Sequence, residues 1–345
     1  MQQSLIRSDK PALPAVELTE TARDYARESK AGNTRRAYGA QLKIWVAYAA
    51  EQGIEPFPAS PASVANWLAS RAASGQALST LRTAVAAVAA GHVAKGLHFD
   101  SRAPEIRTTL QGVGRVHARP QRQAEPIRSE DIVELLAALG ETAIELRDGA
   151  LMAIGYICGL RRSELVGLDL DRIGDGDGFV SIGAKTIDLT LVRSKTAVTG
   201  QSETVTIPRG AVSKAVTAIE RWIAHANIQP GEPLLTSVEK GGRLGTRLHS
   251  QSVAHIIKSR IAEHLRRQGI PEDKAAIEAA RFSGHSLRVG FAVSAAEAGA
   301  DPASIALVTR HKSLEMPRRY SAKADALKRS PYRLPGVGTD EPSGK

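Results

Sequence analysis

The spacing of apolar residues changes twice along this 345-residue chain, and those changes restrict it to a mostly helical protein built in two parts. Through the first hundred residues apolar positions recur at threes and fours, the period of a helix face. Asn33 and Thr34 stand where a helix cap is expected, ahead of TRRAYGAQLKIWVAYAAEQG. There Tyr38, Leu42, Trp45, Val46 and Ala49 fall on one predicted face, and Gly53 ends the pattern. Pro56, Pro58 and Pro61 separate it from SVANWLASRAAS, with a stripe of Val64, Trp67 and Leu68. A third helical pattern, LSTLRTAVAAVAAGHVAKG, follows Gly75, and no alternating pattern interrupts the three.

The first change comes at GVGRVHARPQRQAEPI, where glycines, two prolines and Arg115, Arg119 and Arg122 replace the apolar stripe. That is a linker composition, and a basic one, suited to lying along a phosphate backbone. Helical patterns resume after Ser129, expected to cap DIVELLAALG, and continue through the more buried ETAIELRDGALMAIGYICG. The second change lies between Gly174 and Pro208. FVSIG, IDLTLVRS and ETVTIP read as short strands, and in DLTLVR and ETVTI β-branched residues alternate with polar ones, which predicts a small antiparallel sheet. Helices are expected again in AVSKAVTAIERWIAHA, in SQSVAHIIKSRIAEHLRRQG and from His285 to Gly299.

The balance of Lys and Arg over Asp and Glu gives a net charge of +10, which favours a polyanionic partner such as nucleic acid. No apolar run approaches the roughly 20 residues needed to cross a bilayer, and the first residues lack the apolar stretch of a secretory signal. The single cysteine, Cys158, excludes an internal disulfide framework and lies in an apolar stretch, as a buried structural thiol does. A cytoplasmic, nucleoid-associated location is expected.

Chemistry-bearing residues gather in the second half: Arg161 in CGLRRSEL, Lys195 in RSKT, His285 and Arg288 in GHSLR, and His311 and Tyr320 in RHKSLEMPRRYSA. Cleaving a phosphodiester with a protein hydroxyl requires cations for the charge spreading over the phosphate oxygens and an acid for the departing alkoxide. Arginine meets the first need with a planar fork that stays charged. A lysine on a hairpin can meet the second, and a tyrosine needs a neighbour to ease its deprotonation. Each motif alone fits a structural role equally well, since H-x-x-R also begins solvated helices and a hairpin lysine also serves solubility. The chemistry resides in the set.

Arg, Lys, His-x-x-Arg, His and Tyr in that chain order resemble the tyrosine recombinase family of the phage-integrase type, Cre-like around GHSLRVG. Arg161 lies in the family's G-L-R-x-S-E-L, with Glu164 at the usual acidic position, and His311 stands nine residues before Tyr320, the usual gap. The resemblance implies Tyr320 as the nucleophile of a 3′-phosphotyrosine, Arg161 and Arg288 as phosphate ligands and Lys195 as general acid. It further implies that His285 assists proton transfer at Tyr320, that His311 hydrogen-bonds the phosphate, and that Glu164 supports the site. No cofactor and no metal are implied. Arg35 and Arg36 in TRRAY, with Arg115, Arg119 and Arg122, are the candidate DNA contacts. Two departures stand out: Arg310 replaces the glycine that usually precedes His311, and Pro317 falls three residues before Tyr320.

The implied fold is mainly α with a small antiparallel β-sheet, a two-domain DNA clamp of a helical core-binding domain and an α+β catalytic domain. The expected divisions are a flexible N-terminus at 1–15, a helical (SAM-like) DNA-binding domain at 16–112, a basic linker at 113–127, a catalytic domain at 128–330 and a flexible tail at 331–345. The implied activity is site-specific recombination or integration of duplex DNA. The implied assembly is a homotetramer on paired sites that exchanges a C-terminal helix, for which ADALKRS is the candidate segment. Two other readings share part of the pattern: type IB topoisomerase-like relaxation, and a catalytically silent DNA-binding or architectural protein.

Overall fold

A computed structural model describes residues 19–21, 25, 32–117, 124–192 and 202–328. The expected termini at 1–15 and 331–345 lie outside the described residues, as do Arg119, Arg122 and Lys195. The chain divides into two compact units, Met1–Gln121 and Arg122–Lys345.

The first unit is helical: α1 (Gly32–Glu51), α2 (Pro61–Ala73), α3 (Leu78–Ala94) and α4 (Pro104–His117). The stripe on α2 is realised, with Val64, Trp67 and Leu68 buried. Ser60 caps that helix by accepting from the Ser63 amide at 3.1 Å. Trp45 of α1 meets Trp67 edge-on, with ring centroids 5.2 Å apart, and its indole N–H donates to the Pro56 carbonyl at 2.9 Å. Truncating either ring costs about 3–5 kcal/mol by core-deletion precedent.

Three expectations need correction. Gly32 and Asn33 are both helical, so Asn33 lies inside α1 and accepts from Arg36 at 2.8 Å instead of capping it. Val46, placed on the buried face by spacing, is 43% exposed because the tryptophans turn Trp45 and Ala49 inward. Residues 113–117, assigned to the linker, are helical, because Ile106, Leu110 and Val113 continue one apolar face of α4 into the first unit's core.

The second unit is built round α6 (Ala143–Ile157), buried along most of its length. Thr142 and Glu145 close its start reciprocally as a capping box. The preceding α5 (Ser129–Ala137) is closed by the Asp131 carboxylate, which accepts from the Arg128 amide at 2.8 Å. Ser129 is therefore the first helical residue and not the cap. After α6 come α7 (Arg162–Val166), β1 (Leu168–Leu170), β2 (Gly178–Ile182), β3 (Thr186–Leu191) and β4 (Glu203–Pro208). They form a sheet in the order β1-β2-β3-β4. β2, β3 and β4 pair antiparallel in the predicted places, with Val180 opposite Leu189 and Leu189 opposite Val205. β1 pairs parallel to β2, an addition to the expected antiparallel sheet.

The remainder is α8 (Ser213–Ala226), the hairpin β5 (Thr236–Val238) and β6 (Leu244–Arg247), α9 (Ser252–Arg267), α10 (Glu272–Ala279), α11 (Ser286–Glu297), α12 (Pro302–Thr309) and α13 (Glu315–Lys328). α11 packs against α6, α12 and α13. Gly290 allows α11 to sit directly on the backbone at Ile127: a Cβ there would stand 1.8 Å from the Ile127 carbonyl oxygen. Among the described residues no helix is long and apolar enough to cross a membrane.

Candidate active site

Four chain segments supply the site. The first is the turn that ends α6. Gly159 takes a left-handed φ of 53°, a conformation glycine adopts without a Cβ penalty, and the reversal delivers Arg161 to the start of α7. Arg161 is half-buried, and its Nη1 meets Glu164 Oε1 at 2.5 Å while its amide donates to Glu164 Oε2 at 2.9 Å. Burial alone would push the Glu164 carboxyl up; the cations Arg310 and Arg161 and the amide of Arg161 hold it below the usual carboxylate value.

The second segment is the start of α11. His285 precedes the first helical residue and Arg288 lies in the first turn. Arg288 is only 2% exposed and donates from Nη1 to the Gly159 carbonyl at 2.7 Å, which fastens it to the turn that carries Arg161. Burial, then the charge of Arg161, pulls its pKa down to about 9, so it remains a cation at neutral pH. His285 is solvent-accessible, yet lost hydration of its ring and the charges of Arg288, Arg161 and Arg162 lower its pKa. It is a neutral base at pH 7.

The third segment follows α12. Arg310 ends that helix in the left-handed region, φ 53° and ψ 50°, which costs a non-glycine residue roughly 1–2 kcal/mol. The turn holds the shape glycine would give it, so the departure from glycine changes the side chain and not the path of the chain. The Arg310 carbonyl accepts from Arg161 Nη2 at 3.3 Å. His311 Nδ1 lies 2.6 Å from Thr309 Oγ1. Burial and the cations Arg288 and Arg161 push the His311 pKa down to about 4.

The fourth segment is α13. Pro317 sits in its first turn, where the missing N–H has no helical partner to lose, so the helix runs on unbroken through Tyr320. Tyr320 is partly buried against Ala292, Ala296 and Ile305. Burial raises its pKa, and Arg288 works in the opposite direction.

Arg161, His285, Arg288 and His311 thus lie in one electrostatic neighbourhood, and Tyr320 shares the field of Arg288. Lys195 lies in the chain between β3 and β4, outside the described residues. The first residues of β4, Glu203 to Val205, line the same depression as Arg310 and His311, which brings that connection's base beside the group. Arg35 and Arg36 are exposed on the first turn of α1, and Arg115 is exposed on the last turn of α4. These three belong to the first unit. Sequence reasoning missed Thr309, and it noticed Arg310 only as a departure; the short apolar run of α12 gave no sign that either would face the arginines.

Comparison with known proteins places this arrangement in a family. The model of the phage integrase family matches residues 125–326. The integrase/recombinase xerD homolog of Selenomonas ruminantium is 29% identical over 308 residues, 87% of this chain and 84% of that protein. Tyrosine recombinase XerC of Mycobacterium bovis is 29% identical over 312 residues, 86% of this chain and 90% of the relative. Among solved structures, the Tn1549 transposon integrase with transposon right end DNA shares the fold at a TM-score of 0.55 and 15% identity, covering 89% of this chain and 97% of its own. A lambda integrase dimer bound to a core site does so at a TM-score of 0.54 and 14% identity, covering 94% and 96%. With its mostly helical fold and small sheet, the chain belongs to the phage integrase family: it is a tyrosine recombinase, an enzyme that cleaves and rejoins DNA strands.

Proposed function

We propose that this protein recombines or integrates duplex DNA at specific sites through a 3′-phosphotyrosine on Tyr320, without metal or ATP. The observation that carries the reading is the convergence on one turn: Arg161 follows Gly159, and Arg288 donates to the Gly159 carbonyl from 129 residues further along the chain. Two guanidiniums held this way present a rigid cationic seat for one phosphate. Tyr320 Oη attacks phosphorus and passes its proton to His285, whose lowered pKa keeps it free to accept one. The bond to the 5′ oxygen breaks, and Lys195 protonates that oxygen as it leaves. His311 bonds a phosphate oxygen, and Glu164 fixes Arg161. The phosphotyrosine conserves the energy of the diester, so a 5′-hydroxyl can reverse the step and rejoin the strand with no nucleotide consumed.

The structural neighbours, solved as complexes with transposon right end DNA and with a core site, support duplex DNA as the substrate. The net charge of +10 supports a phosphate-rich partner. Arg35, Arg36, Arg115, Arg119 and Arg122 are the proposed backbone contacts outside the reaction centre. Assembly is proposed as a homotetramer on paired sites, with the segment after Tyr320 passed to a neighbouring subunit.

Covalent capture tests the reading. The purified protein is incubated with fragmented DNA from its source in the absence of metal and ATP, denatured and digested, and the peptide-bound DNA is sequenced. Attachment at one short, nearly palindromic sequence is expected. Attachment scattered over many sites would place the protein with the type IB topoisomerases, and binding without attachment would make it a silent DNA-binding protein.

A further inference from the structure

Arg310 keeps an arginine in a backbone conformation that strains every residue except glycine, and it turns that side chain inward. The side chain is 4% exposed, and its guanidinium meets Glu164 Oε2 at 3.1 Å. Its Nη1 reaches the carbonyls of Val308 at 2.6 Å and of Cys158 at 3.2 Å, and its Nη2 also reaches that of Gly159 at 3.2 Å, while the buried Nε–H has no partner among the described residues. Glu164 is therefore one carboxylate held between two guanidiniums, Arg161 on Oε1 and Arg310 on Oε2.

The second guanidinium changes the net charge of the group. Glu164 lies 2.5 Å from Arg161 and, alone with it, would cancel most of the charge that Arg161 brings to the site. With Arg310 present, Arg161, Arg288 and Arg310 face a single carboxylate and leave two net positive charges; with glycine at 310 they would leave one. A phosphodiester under attack by a phenolate-like oxygen gathers up to two negative charges in transit. The Arg310 charge reaches its neighbours: it acts on Glu164, on Arg288 and on His311.

We propose that Arg310 is a positioning residue that neutralises Glu164, so that Arg161 presents its full charge to the scissile phosphate. The inference rests on the reading of Arg161 as a phosphate ligand. Arg310 itself touches no substrate: its backbone carbonyl anchors Arg161 Nη2, and its side chain supplies the counter-cation. Replacing the side chain with hydrogen leaves the carbonyl tether in place and relieves the backbone, so Arg310→Gly removes the charge while keeping the turn.

The test is single-turnover covalent attachment to a synthetic duplex carrying the sequence recovered by covalent capture. A second duplex has the scissile phosphate replaced by an uncharged methylphosphonate. Arg310→Gly is expected to slow attachment at least about tenfold on the phosphate duplex, equivalent to one decade of barrier. Arg310→Lys restores most of the rate. On the methylphosphonate, which brings no charge to be matched, wild type and Arg310→Gly are expected to differ by less than about threefold. In a Glu164→Gln background the Arg310→Gly loss likewise shrinks, because there is no carboxylate left to neutralise. Equal rates for wild type and Arg310→Gly on the phosphate duplex overturn the proposal. A loss of the same size on both duplexes and in both backgrounds also overturns it, because that is the signature of a structural defect. Wild-type protein that attaches to no DNA overturns the tyrosine-recombinase mechanism, and the role of Arg310 falls with it.

Discussion

The Thr309 hydroxyl decides where the proton sits on His311. Oγ1 lies 2.5 Å from the Ile305 carbonyl, an oxygen that can only accept, so the single hydroxyl hydrogen is directed there. The contact between the same Oγ1 and His311 Nδ1 at 2.6 Å must then run the other way, from an Nδ1–H to the hydroxyl lone pair. A neutral His311, favoured by a pKa pushed down to about 4, therefore carries a bare Nε2. Bare nitrogen cannot donate to a phosphate oxygen. For His311 to bond the scissile phosphate, DNA binding must bring a proton to Nε2.

Affinity for the target duplex is accordingly expected to depend on pH through His311. The bound phosphate raises the His311 pKa above its free value of about 4. The extra affinity is complete below that free value and is lost as pH rises through the higher value in the complex. Calorimetric titration in buffers of different ionisation enthalpy should show proton uptake on binding, and His311→Ala should remove most of it. Wild-type binding with no proton uptake contradicts the tautomer deduced from Thr309.

Thr309→Val keeps the shape of the side chain and takes away the acceptor for Nδ1–H. An unsatisfied donor of this kind costs about 1–3 kcal/mol, so attachment at pH 7 is expected to slow by about tenfold or more while the protein stays folded. A rate equal to wild type in stopped reactions would show that His311 does not rely on Thr309.

Arg288→Lys retains a positive charge and loses the fork that reaches the Gly159 carbonyl and, in the proposed mechanism, a phosphate oxygen. Removing one such donor from a developing oxyanion typically costs 10²–10³ in rate, and about that loss is predicted for strand attachment. Filter binding of the duplex should weaken far less. Parallel losses in binding and attachment would make Arg288 a binding residue only.

Gly290→Ala tests the packing that sets α11 in place. The added methyl would meet the Ile127 carbonyl oxygen at 1.8 Å, a backbone atom that cannot swing aside. Overpacking of this severity is expected to cost roughly 3 kcal/mol and to lower the melting temperature by several degrees. An unshifted melting curve would show that α11 does not press on that segment.

Much of this architecture was legible because its signals are local. Val64, Trp67 and Leu68 marked α2 by spacing alone, and alternation marked β3 and β4. What escaped is made by distant contacts. β1 has three residues, all buried, and so no alternation to read. α4 ran through a stretch whose glycines and arginines spell linker, because Val113 found the first unit's core. The candidate reacting groups were named from their order along the chain and the family that this order resembles. The pairing of Arg310 with Glu164 spans 146 residues and could not be read from either one.

In the proposed mechanism Tyr320 itself carries the DNA. Trypsin cutting after Arg319 and Lys323 would release the peptide Tyr320–Lys323. The decisive measurement is mass spectrometry of that peptide after attachment and nuclease trimming. A nucleotide linked through its 3′ phosphate to Tyr320 is expected, with no adduct in the Tyr320→Phe protein. An adduct on another residue, a 5′ linkage, or attachment that survives Tyr320→Phe would contradict that mechanism.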